Sequence, residues 1–345
     1  VDTFIEVLRA GVDGLIEYLS AHVITCLVPA LFIGGAIAAF LSQAAVLKYF
    51  GPKANKVLSY GVASVSGTIL AVCSCTVLPL FGGIYKRGAG LGPAIAFLFS
   101  GPAINVLAIT YSARLLGYDI GLARAIGAIG FSIVVGLIMA FIFRKEETQK
   151  DEQAFAMLSV DPDAKKLWQQ IIFFGTLVGI LLSAASKQWI ILGVLMAVLL
   201  VLLWRWFKKG EIVQWMKETL HLVRLILPWL LVGVFAAGIL KYVIPESVVT
   251  DWVGGNSILA NFIASLLGAL MYFATLTEVP IIRAFMDLGM GKGPALALLL
   301  AGPSLSLPSM LVLRSIMGTK KTLTYVAIVV VLSAICGYVF GMIVD

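Results

Sequence analysis

The sequence predicts an all-α polytopic membrane protein: about ten transmembrane helices in two internal repeats, with interrupted helices at the midplane. Three observations predict it. Hydrophobic residues make up 61% of the 345 and charged residues 12%, about half the charged share of an ordinary soluble domain. Windows free of Asp, Glu, Lys and Arg recur at 22–47, 57–85, 88–113, 125–143, 167–186, 188–204, 225–240, 252–277, 293–313 and 322–344. A helix needs roughly 20 apolar residues to cross a bilayer, so each window reads as one crossing. Finally, Gly92–Pro102 and Gly293–Pro303 match at seven of eleven positions, 201 residues apart.

The segments follow in order. Residues 1–20 carry Asp2, Glu6, Asp13 and Glu17 where a signal peptide needs a basic start and an apolar core. Phe4, Ile5, Leu8, Val12, Leu15, Ile16 and Leu19 share one helical face, which predicts an amphipathic interfacial helix or one packed on the membrane domain. Residues 21–143 form the first repeat, and 144–166 form a charged linker with five basic and six acidic residues. Residues 167–210 supply two unduplicated helices. Residues 211–345 form the second repeat, opened by an amphipathic stretch with Ile212, Trp215, Met216 and Leu220. Equivalent positions include Thr76 with Thr277, Pro79 with Pro280, and Gly136 with Gly337.

With ten crossings, 15 of the 25 Lys and Arg residues fall on the N-terminal side, which places both termini and the linker in the cytoplasm of an inner-membrane protein. The plain count of four, two and four crossings favours parallel repeats. A re-entrant segment in each half would instead make them inverted. The net charge of +7 does not point to nucleic acid. Cys26 and Cys336 read as packing residues. No metal site or cofactor motif is evident, no catalytic residues are assigned, and the chain is not expected to be an enzyme.

Duplicated halves with interrupted helices are how many secondary transporters build a midplane site for a small solute. Each half has two break motifs. The first half has Cys73-Ser74-Cys75-Thr76 before Pro79, and Gly101-Pro102 before Asn105. The second has Thr277-Glu278 before Pro280, and Gly302-Pro303 before Ser304 and Ser306. Proline removes a backbone donor and clashes with the preceding turn, so the helix is expected to stop and restart at these prolines. Half-helix N-termini there would present unpaired N–H groups to an anion or electron-rich group.

Cys73, Ser74, Cys75, Thr76, Asn105, Thr277, Ser304 and Ser306 are the expected solute contacts. The thiols of Cys73 and Cys75 converge only where the backbone leaves the helix, and thiolates suit soft partners. A thiol redox shuttle is the alternative. It is disfavoured because Ala274 and Leu276 stand where a second thiol pair would be. A sulfur-anion uptake channel is another. Glu278 is an intramembrane carboxylate and a candidate carrier of a coupling proton or cation; an ion pair with Arg283 is its structural alternative.

Ser74-Cys75 through Pro79, then Arg87-Gly88-Ala89 with Gly92-Pro93-Ala94, then Gly101-Pro102 with Asn105 resemble the ArsP/YraQ-like permease family. The resemblance covers nearly the whole membrane part and implies a permease. Some members are implicated in export of trivalent organoarsenicals through membrane cysteines, which by analogy makes Cys73 and Cys75 contacts for a thiophilic solute.

Overall fold

The computed structural model describes residues 2–20, 27–40, 54–70, 74–104, 106–147, 167–243, 252–272 and 278–344. These residues are helical apart from turns and an isolated bridge of Met290 with Gly254 and Gly255. The first half comprises α1 (Asp2–Tyr18), α2 (Val28–Phe40), α3 (Lys56–Leu70), α4 (Ser74–Lys86), α5 (Leu91–Ala103), α6 (Val106–Leu115) and α7 (Tyr118–Ile142). Next come α8 (Leu167–Ala185) and α9 (Trp189–Trp206). The second half comprises α10 (Lys209–Val243), α11 (Ile258–Leu270), α12 (Glu278–Asp287), α13 (Lys292–Ser304), α14 (Leu307–Met317) and α15 (Thr319–Val344).

Helices α5 and α13 form the centre. Every residue of α5 is buried, as is every residue of α13 after Lys292, in keeping with helices that are apolar all round. Helices α3 and α7 flank α5, α11 and α15 flank α13, and the two central helices touch. Matched glycines set the spacing. A Cβ on Gly136 would stand 2.6 Å from the Gly92 carbonyl oxygen, and one on Gly337 would stand 2.5 Å from that of Gly293. Small residues let helix backbones approach this closely.

Helices α5 and α13 run in opposite directions. The Leu91 amide that opens α5 donates to Glu147, just past the end of α7. Lys292, which opens α13, reaches Asp119 in the first turn of α7. Two of the charge-free windows, 57–85 and 252–277, do not hold a single long helix among the described residues.

Window 252–277 is entered by α11, and α12 returns to the same face, where Gly291 N donates to the Val253 carbonyl at 3.4 Å. Window 57–85 holds two helices, α3 and α4. Tyr60 of α3 packs at Gly92, and Ala89 N donates to Ile84 O to fold the end of α4 onto the start of α5. At 1.5 Å per residue, each of these helices is only about 15–22 Å long, too short to cross.

Among the described residues the expected ten crossings are not reached by helix length. Five helices among the described residues, α7, α8, α9, α10 and α15, are long and apolar enough to span a membrane. The α5–α6 and α13–α14 pairs, bent by 47° and 45°, raise this to seven.

Helix α15 starts at the Glu147 face, and Gly341 near its end packs against Asn256 on the opposite face. Helix α1 lies along α10, where a Cβ on Gly14 would stand 3.3 Å from Gly238 Cα; Leu8, Val12, Ile16 and Leu19 stay exposed. The stretch around Trp215 packs on the membrane domain. It forms the first turns of α10, with Trp215 buried and its indole N–H donating to the Phe32 carbonyl at 2.8 Å.

Candidate functional site

Glu278 is the first residue of α12, so its carboxylate sits where the helix dipole favours negative charge. Its counter-charge comes from the other half. Arg124 of α7 places Nη1 3.1 Å from Glu278 Oε1, and the two side chains are 0% and 1% exposed. The same Nη1 donates to Ser112 Oγ of α6 at 2.9 Å, and that hydroxyl donates to Ala108 O at 2.7 Å. Charge rather than an aligned hydrogen bond joins the pair. Among the described residues, neither Glu278 oxygen accepts a hydrogen bond, and Arg124 Nε and Nη2 have no acceptor.

The pairing of Glu278 with Arg283 does not occur. Arg283 bridges to Asp287 at 3.0 Å, where both are exposed.

Nothing in the residue pattern singled out Arg124 or Ser112. Arg124 directly precedes the window 125–143 and reads as a flank, yet α7 starts at Tyr118 and carries it inside the fold. The usable signal was Gly117, whose φ of 120° marks the true start.

The breaks lie beside the prolines rather than at them. Pro79 is inside α4, Pro102 inside α5 and Pro303 inside α13, and Pro280 is the third residue of α12. Gly101 and Gly302 fall in the same closing turns. Proline lacks only its own amide bond, so a helix can close one more turn after it: Ile104 N donates to Ser100 O at 2.9 Å, and Leu305 N to Ala301 O at 2.8 Å. The chain then extends at Leu305 and Ser306. Ser306 caps α14, its Oγ accepting from Ser309 N at 3.3 Å. Ser304 Oγ donates to Phe99 O at 3.5 Å, joining the central helices, and Tyr325 OH donates to Ser304 O at 3.3 Å.

Thr76 is buried in the first turn of α4. The side chains of Ser74 and Cys75, and Cys73, Asn105, Thr277 and Cys26 entirely, lie outside the described residues. Among the described residues no group of three or more His, Cys, Asp and Glu could hold a metal.

A family model described as predicted permease, ArsP_1, matches residues 10–342. The chain belongs to this family. The UPF0718 protein MJ0584 of Methanocaldococcus jannaschii is 47% identical over 98% of this chain and 97% of its own length. The UPF0718 protein YraQ of Escherichia coli is 22% identical over 77% of this chain and 63% of its own length. A Streptococcus mutans protein, named as a candidate two-component membrane permease complex subunit, is 24% identical over 85% of this chain and 83% of its own length. No solved structure matches. ArsP_1 membership together with the long apolar helices makes the chain a multi-pass membrane protein of a permease family.

Proposed function

We propose that this chain is an inner-membrane secondary transporter that moves a small thiophilic or sulfur-containing solute through a midplane site where two inverted repeats meet. The buried Arg124–Glu278 pair carries the reading. It places opposite charges from the two halves in contact inside an apolar bundle, and ionisable groups at such depth are expensive and functional by default.

Support for repeats comes from α5 and α13, which hold the matched Gly-Pro segments and begin on opposite faces. Helix α4 holds the equivalent place to α12, with Thr76 in the first turn of one as Glu278 is in the other, and Cys73, Ser74, Cys75 and Thr277 are the neighbouring solute contacts in sequence. Ser304 and Ser306 lie at the break after α13, and Asn105 is their counterpart contact by sequence. Glu278 carries the coupling proton or cation. The face of Lys86, Arg87, Arg144, Lys145, Lys320 and Lys321 is cytoplasmic by its basic residues.

The test is growth of an arsenic-sensitive bacterial host over a range of trivalent methylarsenical. The Cys73→Ser/Cys75→Ser double variant runs beside the wild type at matched membrane expression. Protection that disappears with the cysteines supports thiol-dependent export of a soft solute. Absence of protection at equal expression rejects that solute and moves the search to sulfur-containing anions. A reversible Cys73–Cys75 disulfide exchanging with a soluble partner would replace the transporter reading with thiol redox transfer.

A further inference from the structure

A guanidinium has five N–H donors, and its Nε/Nη2 edge offers two parallel bonds that match a carboxylate or oxyanion. In Arg124 that edge is buried and, among the described residues, has no acceptor. Glu278 approaches from the other side, at Nη1, which already donates to Ser112. A partly satisfied buried polar network is a poor device for stability. The better bidentate edge of the arginine has been left open, while an intrinsic carboxylate neutralises its charge without saturating it.

We propose that Arg124 binds the anionic oxygen head of the transported solute, a carboxylate or a sulfur oxyanion, through Nε and Nη2, with Glu278 as the displaceable counter-ion. The inference rests on the transporter reading and adds a substrate class to it. A bound anion would leave two negative charges facing one arginine. A proton taken up from solution by Glu278 removes the second charge, so anion and proton bind together, and acid tightens binding.

The neighbouring groups are compatible with this. From α7, Arg124 faces Glu278. Helix α6 brings the neutral Ser112, with Arg114 at its exposed end. Helix α13 brings Lys292, which pairs with Asp119 at 2.9 Å. On α12 itself, Arg283 and Asp287 pair with each other at 3.0 Å.

The full chain, purified in detergent, would be titrated with acetate, mercaptoacetate and thiosulfate at pH 5.5 and pH 8, reading the thermal unfolding midpoint. In the wild type, at least one anion raises the midpoint, with an apparent Kd about tenfold tighter at the lower pH. Acetate and mercaptoacetate report the carboxylate class, and thiosulfate the sulfur oxyanion class. Arg124→Lys keeps the charge but loses the fork, so binding weakens about tenfold or more. Glu278→Gln binds equally well at both pH values, and this arm decides the matter if Arg124→Lys does not fold.

No midpoint shift with any of the three anions, unchanged affinity in Arg124→Lys, or the wild-type pH dependence in Glu278→Gln would each overturn the proposal. Cysteine-dependent protection without anion binding would keep the transporter and discard the anion. Anion binding without such protection would discard the thiophilic solute and keep this site.

Discussion

Lys321 Nζ at the start of α15 lies 2.8 Å from Glu147 Oε1, just past the end of α7. The other Glu147 oxygen accepts the Leu91 amide that opens α5 at 3.1 Å. Tyr85 OH stands 3.2 Å from Lys321 Nζ, and the Phe143 ring centroid 5.6 Å from it. One carboxylate thus ties three helix ends together at the linker face. Asp119 with Lys292 ties two at the other.

The first prediction follows from burial. Lys321 and Glu147 are 7% and 12% exposed, so Lys321→Met, which leaves Glu147 without its charge partner, should cost about 2–4 kcal/mol. Asp287→Asn, at a pair 48% and 59% exposed, should cost less than about 0.5 kcal/mol. Thermal unfolding in detergent measures both, and similar losses would contradict the assignment.

A double-mutant cycle tests the central pair. Arg124→Met leaves Glu278 uncompensated and should cost about 3–5 kcal/mol, while Arg124→Met/Glu278→Leu should regain most of it. Additive losses in folded yield and unfolding midpoint would show that the two charges are not coupled. In the proposed mechanism the double variant folds but does not transport.

Two glycines make opposite predictions. A Cβ on Gly34 would stand 2.5 Å from the Pro79 carbonyl oxygen, whereas one on Gly61 meets nothing within 4 Å. Gly34→Ala should destabilise by about 1–3 kcal/mol through overpacking of α2 on α4. Gly61→Ala should be neutral or stabilise by up to about 1 kcal/mol. Unfolding midpoints of the two variants, measured side by side, decide it.

The ends of α15 give a topology test. In a cysteine-free background, Lys320→Cys and Ile343→Cys should react with a membrane-impermeant maleimide from opposite sides of the membrane. Lys320→Cys should label only in inverted vesicles, and Ile343→Cys in intact cells stripped of their outer membrane. The exchanged pattern, Ile343→Cys labelled from the cytoplasm and Lys320→Cys from outside, would restore the ten-crossing count, and labelling of both from one side would show that α15 does not span.

The membrane class and the matched Gly-Pro segments were legible because composition and identity survive without any structure. Direction was not. A window that holds helices too short to cross is as free of charge as one that crosses, so windows 57–85 and 252–277 read as spans until the short α3, α4 and α11 are seen. Glu278 could be picked out because a lone carboxylate beside an apolar run is conspicuous. Arg124 could not, since a charge at the border of a window is the ordinary mark of a helix end. Pro79 has the sequence mark of a stop, yet α4 continues through it, and its carbonyl lies close against Gly34.

The antiparallel course of α5 and α13 bears on ancestry. If each half is a copy of one unit, and the short α2 is counted beside the α5–α6 pair and α7, that unit has three crossings, so a head-to-tail fusion turns the second copy over without further change. The out-and-back pair α8 and α9 does not disturb that parity. Two unfused copies inserted in opposing senses would build the same facing helices. On that view the single chain preserves an antiparallel dimer, and fusion freed one copy to acquire Glu278 while the other acquired Arg124.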